Sequence, residues 1–109
     1  MPSPLLVAHG LLNTNFVTAK KIAAFNALHR MHYACDTTGG AFTATLPANP
    51  KPGFSIIFSD YALKFDTLPL TINPNGRLFR GVAGMYQIDT AGAVRQIYYV
   101  DDTKGWFIK

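Results

Sequence analysis

A chain of 109 residues is long enough for one domain with one modest core, and too short for two. With 49% hydrophobic and only 15% charged residues, the charge load is light. Apolar groups must therefore fill a large core or lie against partner chains. Glutamate is absent, the single cysteine excludes an intrachain disulfide, and no stretch approaches the roughly 20 apolar residues of a membrane-spanning helix.

The net charge of +4 is unevenly placed. Residues 1–35 carry Lys20, Lys21 and Arg30 and no acid, whereas the remainder is nearly balanced. Three charges are too few for a nucleic-acid patch, so this basic third is read as a solvated or subunit-facing segment.

In chain order, residues 1–12 read as an extended arm. Pro2-Ser3-Pro4 leads into Leu5, Leu6 and Val7, and Gly10 into Leu11 and Leu12. Such an apolar arm is expected to dock on its own domain or on a neighbour. The start lacks the basic-then-apolar pattern of a signal peptide, and the chain is expected to be a complete small protein made in the cytosol. Two readings are open for residues 14–29. Thr18 could cap a short helix with Ile22, Phe25 and Leu28 on one face, or the segment could run extended across a sheet.

From Met31 the pattern is β. Met31, Tyr33 and Cys35 share one strand face and His32 and Ala34 the other. Thr38-Gly39-Gly40 turns the chain, and Phe42, Ala44 and Leu46 alternate with Thr43 and Thr45. The proline-rich run 47–53 is a loop, followed by a strand over 54–58. A further strand over 68–72 contains Pro69, which suits a strand start or an edge. Asn73-Pro74-Asn75-Gly76 is the strongest turn signal, and Arg77–Arg80 reads as a short continuing strand. Gly81-Val82-Ala83-Gly84 reads as a flexible joint before a strand at 85–88. The longest strand, 93–100, puts Val94, Gln96, Tyr98 and Val100 on one face and Arg95, Ile97 and Tyr99 on the other. The turn 101–105 leads to a last strand at 106–108.

This spacing predicts an all-β fold: a small antiparallel β-sandwich or barrel of about 7–8 strands, with an N-terminal arm. The absence of an internal repeat argues against a solenoid. The organisation expected is an arm and attachment segment over 1–30 and a β-domain over 31–109.

Chemistry-bearing residues are sparse. Cys35 has His29 and His32 nearby in sequence, but His32 points to the opposite strand face, and a buried small thiol is the simpler reading. His29 and His32 with His9 and Cys35 do not form a zinc pattern, and the aspartates lack a calcium-loop rhythm. The aspartates sit at predicted turns, and Gly39-Gly40 precedes a strand, so neither a paired-carboxylate site nor a phosphate loop is indicated. The reading assigns no catalytic residue, cofactor or metal. Because Tyr98 and Tyr99 face opposite ways, one of them is expected outside the core. Tyr99 and Trp106 are the candidates for a subunit or glycan contact.

Four ordered pieces carry a resemblance. They are Asp36 to Pro47 with Pro52-Gly53, then Phe58-Ser59-Asp60, then Leu68 to Gly76, then Val100 to Trp106. Together they resemble a family of phage virion β-domains found in tail fibres, tail appendages and head-decorating proteins. One departure is Phe54, which follows Pro52-Gly53 where the family pattern has a polar residue. The resemblance covers 31–109 and implies a non-enzymatic virion component, usually a homotrimer, assembled in the host cytoplasm.

Within that family, a compact chain with an apolar arm and no shaft suits a capsid decoration (cement) protein that binds the major capsid protein or another virion protein. The residues expected to make that contact are Leu5, Leu6, Val7, Leu11, Leu12, Lys20, Lys21 and Arg30. The alternative is a tail fibre, tail-tip or baseplate component gripping a host-surface glycan or another tail protein. No membrane partner is expected.

Overall fold

The computed structural model describes residues 16–109, so the arm candidates Leu5, Leu6, Val7, Leu11 and Leu12 lie outside the described residues. Nine strands make up the described fold: β1 (Val17–Lys21), β2 (Phe25–Asn26), β3 (Met31–Cys35), β4 (Thr43–Thr45), β5 (Ser55–Asp60), β6 (Leu70–Asn73), β7 (Tyr86–Ile88), β8 (Val94–Asp101) and β9 (Gly105–Ile108). The fold is all-β. No helix occurs among the described residues, and of the two readings for 14–29 the extended one holds from Val17 on. The threefold spacing of Ile22, Phe25 and Leu28 was coincidental, since only Phe25 turns inward and the other two are exposed.

The strands form two mixed sheets. One has the order β1-β3-β5-β8-β9, the other β2-β4-β6-β7. Through β6 the chain alternates strictly between sheets, so each strand lies parallel to the strand two before it. Parallel neighbours need a crossover, and here the crossover is a strand of the opposite sheet. The expected antiparallel sandwich is thus corrected. Only β6–β7, β5–β8 and β8–β9 pair antiparallel. Alternating strands and turns look alike in sequence whether the chain doubles back or crosses over.

One core fills the space between the sheets. Tyr33, Cys35, Ile56, Phe58, Ile97 and Tyr99 project from one sheet and Ala44, Leu70, Ile72 and Ile88 from the other. Phe25 bridges them, its ring centroid 4.5 Å from that of Tyr33 and 6.5 Å from that of Phe58. Strand period sets this sorting, because every second residue of β5 (Ile56, Phe58, Asp60) is buried.

Three turns fix the ends of the strands. Asp60, buried at the end of β5, accepts hydrogen bonds from the amides of Lys64 (3.1 Å), Phe65 (3.0 Å) and Gly92 (3.0 Å). Asn75 donates from Nδ2 to the Leu46 carbonyl, tying the Asn-Gly turn to the end of β4. Residues 77–80 do not continue as a strand, and Phe79 makes only isolated bridges to Val82 and Trp106. The β8–β9 turn is capped by Asp101, whose carboxylate accepts from the amides of Thr103 and Lys104.

Gly105 closes that turn at φ +80°, and the Leu78 carbonyl oxygen lies 2.1 Å from where a Cβ would sit. Gly105→Ala is therefore expected to destabilise the fold by at least about 2 kcal/mol, since backbone strain and overlap add. Urea unfolding monitored by Trp106 fluorescence measures this.

Burial raises the Asp60 pKa, but the amides of Phe65, Gly92 and Lys64 outweigh it and hold the carboxyl below the usual range. A depressed folded pKa means stability that is complete above the ordinary carboxylate pKa and is lost as pH falls through the lower folded value. Asp60→Asn is expected to cost about 2 kcal/mol at neutral pH. It should also flatten the acid limb of a stability-versus-pH profile. A variant whose acid limb matches the parent would exclude this role.

Candidate functional site

The nucleophile candidate is closed off by its surroundings. Cys35 is fully buried at the end of β3, with Sγ 3.7 Å from the Tyr33 carbonyl oxygen. Burial, together with the nearby Asp60 charge, pushes its thiol up to about 12. The histidines are tied up separately. His29 accepts from the Ser55 amide through Nδ1 and stacks on Phe54 at 4.4 Å, while His32 Nε2 sits 2.8 Å from Ser59 Oγ on the outer sheet face. Among the described residues, no three His, Cys, Asp or Glu side chains stand close enough to share a metal ion.

The structure also separates the two aromatic candidates from the surface. Tyr99 is 1% and Trp106 0% exposed, and their rings meet edge-to-face at 5.1 Å inside the core. The Tyr99 hydroxyl reaches the rim, where it donates to Asp102 and accepts from Arg77 at 3.4 Å. The outward partner of the pair is Tyr98, half-buried and stacked on Phe107 at 5.9 Å. The expectation of a surface contact at Tyr99 and Trp106 is corrected. Face alternation was legible, but which face looks inward depends on β8 lying beside β5, which no local pattern encodes.

The basic residues of the first third lie at one side of the sandwich. β1 is the outermost strand of its sheet and β2 of the other, and no strand lies beside the far edge of either among the described residues. From Val17 on, the expected attachment segment is thus part of both sheets and not separate from the β-domain. Lys20 sits 3.9 Å from Asp36 and 4.3 Å from the Tyr61 ring centroid. Lys21 lies over Phe25 at 5.2 Å, and Arg30 occupies a left-handed turn at φ +70°. The lysines therefore line the edge without forming a bare cationic patch. Val17, Ile22 and Leu28 are exposed on the same segment.

A second surface went unread in the sequence. Phe79, Arg80, Val82, Met85, Tyr86 and Ile108 line a cleft of about 340 Å³ beside β7 and β9. Its signal, apolar residues set between glycines over 81–85, suggests a flexible joint when read locally. In three dimensions Val82 and Met85 stand 66% and 62% exposed at its lips.

No family model matches the chain, and no curated protein matches it.

The buried thiol gives a direct check. Cys35 is expected to resist a thiol reagent such as dithionitrobenzoate in native buffer and to react stoichiometrically in denaturant. Fast labelling of the native protein would overturn its placement.

Proposed function

We propose that this protein is a non-enzymatic structural component of a phage virion. Its role is that of a capsid decoration protein, working as a homotrimer and held on the major capsid protein through its N-terminal part. The resemblance of 31–109 to virion β-domains supports the reading. The structural observation that carries it is the pair of strand edges at β1 and β2 that no strand covers among the described residues. Unpaired edges are templates for another chain. Exposed Val17, Ile22 and Leu28 add apolar area beside them, where a neighbouring chain could bury it.

Decoration also suits the light charge load, because repeated weak contacts over many copies give strong retention. The tail reading, with a glycan gripped by Tyr99 and Trp106, loses its aromatic platform once both rings are in the core.

The purified protein is expected to sediment as a trimer and to co-sediment with expanded, undecorated capsids. Val17→Asp together with Ile22→Asp should weaken capsid binding roughly tenfold or more while leaving thermal stability close to the parent. Failure of the parent protein to bind such capsids would end the decoration reading. Virion mass spectrometry showing only a few copies per particle would favour the tail.

A further inference from the structure

We propose that the cleft between β7 and the Phe79–Val82 hairpin binds an extended peptide segment of a partner protein, one with a bulky apolar side chain next to a carboxylate.

The shape comes first. At about 340 Å³ the cleft lies at the small end of ligand clefts, roughly 300–1,000 Å³. That is room for one or two side chains. Phe79, Tyr86 and Ile108 give it an apolar floor, and exposed Val82 and Met85 leave apolar surface for an occupant to cover.

The second observation is strain. Phe79 and Val82 exchange backbone hydrogen bonds of 2.9 and 2.8 Å, leaving Arg80 and Gly81 as a two-residue loop. Both have positive φ, 47° and 84°. Glycine adopts that conformation freely; arginine does so at a cost. A strained arginine on a rigid hairpin is best explained by what its side chain does. The Arg80 guanidinium is held over the Phe107 ring at 5.4 Å.

The third is charge. Lys104 packs across Gly81, with its Cδ and Nζ 3.2 and 3.4 Å from where a Cβ would sit. Arg80 thus lines one lip of an apolar cleft, and Lys104 packs on the same hairpin against Gly81, outside the lining. Neither has an acidic partner among the described residues. The nearby Asp101 carboxylate is occupied by the backbone amides of its own turn. A purely apolar occupant would leave the Arg80 charge without an acid, whereas a carboxylate beside the apolar anchor meets it with charge-assisted hydrogen bonds.

The fourth is the backbone. β7 pairs with β6 on one side only, and among the described residues no strand lies along its other edge. An extended segment can add there by main-chain hydrogen bonds while its side chain enters the cleft. This surface is distinct from the β1 and β2 edges, and the proposal stands apart from the virion reading.

The test titrates the full-length, ¹⁵N-labelled protein with a hexapeptide of central sequence Asp-Leu-Phe-Asp, with fluorescence anisotropy for affinity. Amide shifts are expected at residues 79–86 and at Ile108. A peptide with Lys for both Asp should bind roughly tenfold more weakly or worse. Arg80→Gly removes the strain with the cation, so it should keep or raise Tm while weakening the acidic peptide by a similar factor. Met85→Glu, at an exposed lip, should abolish binding in a folded protein.

Absence of shifts in the cleft at saturating peptide would overturn the proposal, as would equal affinity for the Lys peptide. A fall in Tm with unchanged binding for Arg80→Gly would make that arginine a structural staple and overturn it likewise. So would self-association abolished by Met85→Glu, which would put a second copy in the cleft. Capsid co-sedimentation is read separately, and its failure leaves this outcome standing.

Discussion

The buried Asp60 carboxylate is the contact on which the arrangement depends. It sits where the parallel half of the fold meets the antiparallel half, since β5 pairs parallel with β3 and antiparallel with β8. Its oxygens take amides from the loop that leaves β5 for the other sheet and from the turn that brings the chain back to β8. One charged group thus sets both the exit and the return of the same excursion. A buried carboxylate is tolerable only when its lone pairs are met, and here backbone donors meet them without a counter-ion.

The two ends of the sandwich differ in consequence. At the β1 and β2 end no further strand pairs with the sheets among the described residues, and Val17, Ile22 and Leu28 are exposed. At the β7 and β9 end they are partly closed by the 78–82 segment, which lies along β9 through Trp106; among the described residues no strand lies along the outer edge of β7. The aromatic residues are mostly interior, and several of the surface cations, Lys20, Lys21 and Arg80 among them, lie over rings.

Much of the fold was legible one strand at a time. The alternation in 31–35, 43–45 and 94–100, the Asn-Gly turn and the Asp-capped hairpin all appear where local chemistry puts them. What local chemistry does not encode is partnership. A glycine turn such as 38–40 looks the same whether the next strand returns to the same sheet or crosses to the other. The parallel pairing of β3 with β5 and of β4 with β6 was therefore invisible. The same gap explains the two misplaced rings, because Tyr99 and Trp106 point inward only once β9 has folded onto β8 below Phe79 and Leu78. The cleft was missed for a related reason. Gly81 and Gly84 suggest looseness, yet Phe79 and Val82 clamp that stretch into a tight hairpin.

The alternating course of the chain has a consequence for how such a protein can change over time. Through β6 each successive pair of strands is laid down on the pair before it, as successive courses of a wall. The first course, β1 with β2, contributes no hydrogen bond between any of the strands that follow. In stacked architectures, stability is close to a sum of layers and of the joints between neighbouring layers. The joint of the first course with the core is Phe25, whose ring packs on Tyr33 and Phe58, whereas Val17, Ile22 and Leu28 face outward. The outward positions of that course are therefore where the surface can diverge while Phe25 and the rest of the sandwich stay the same.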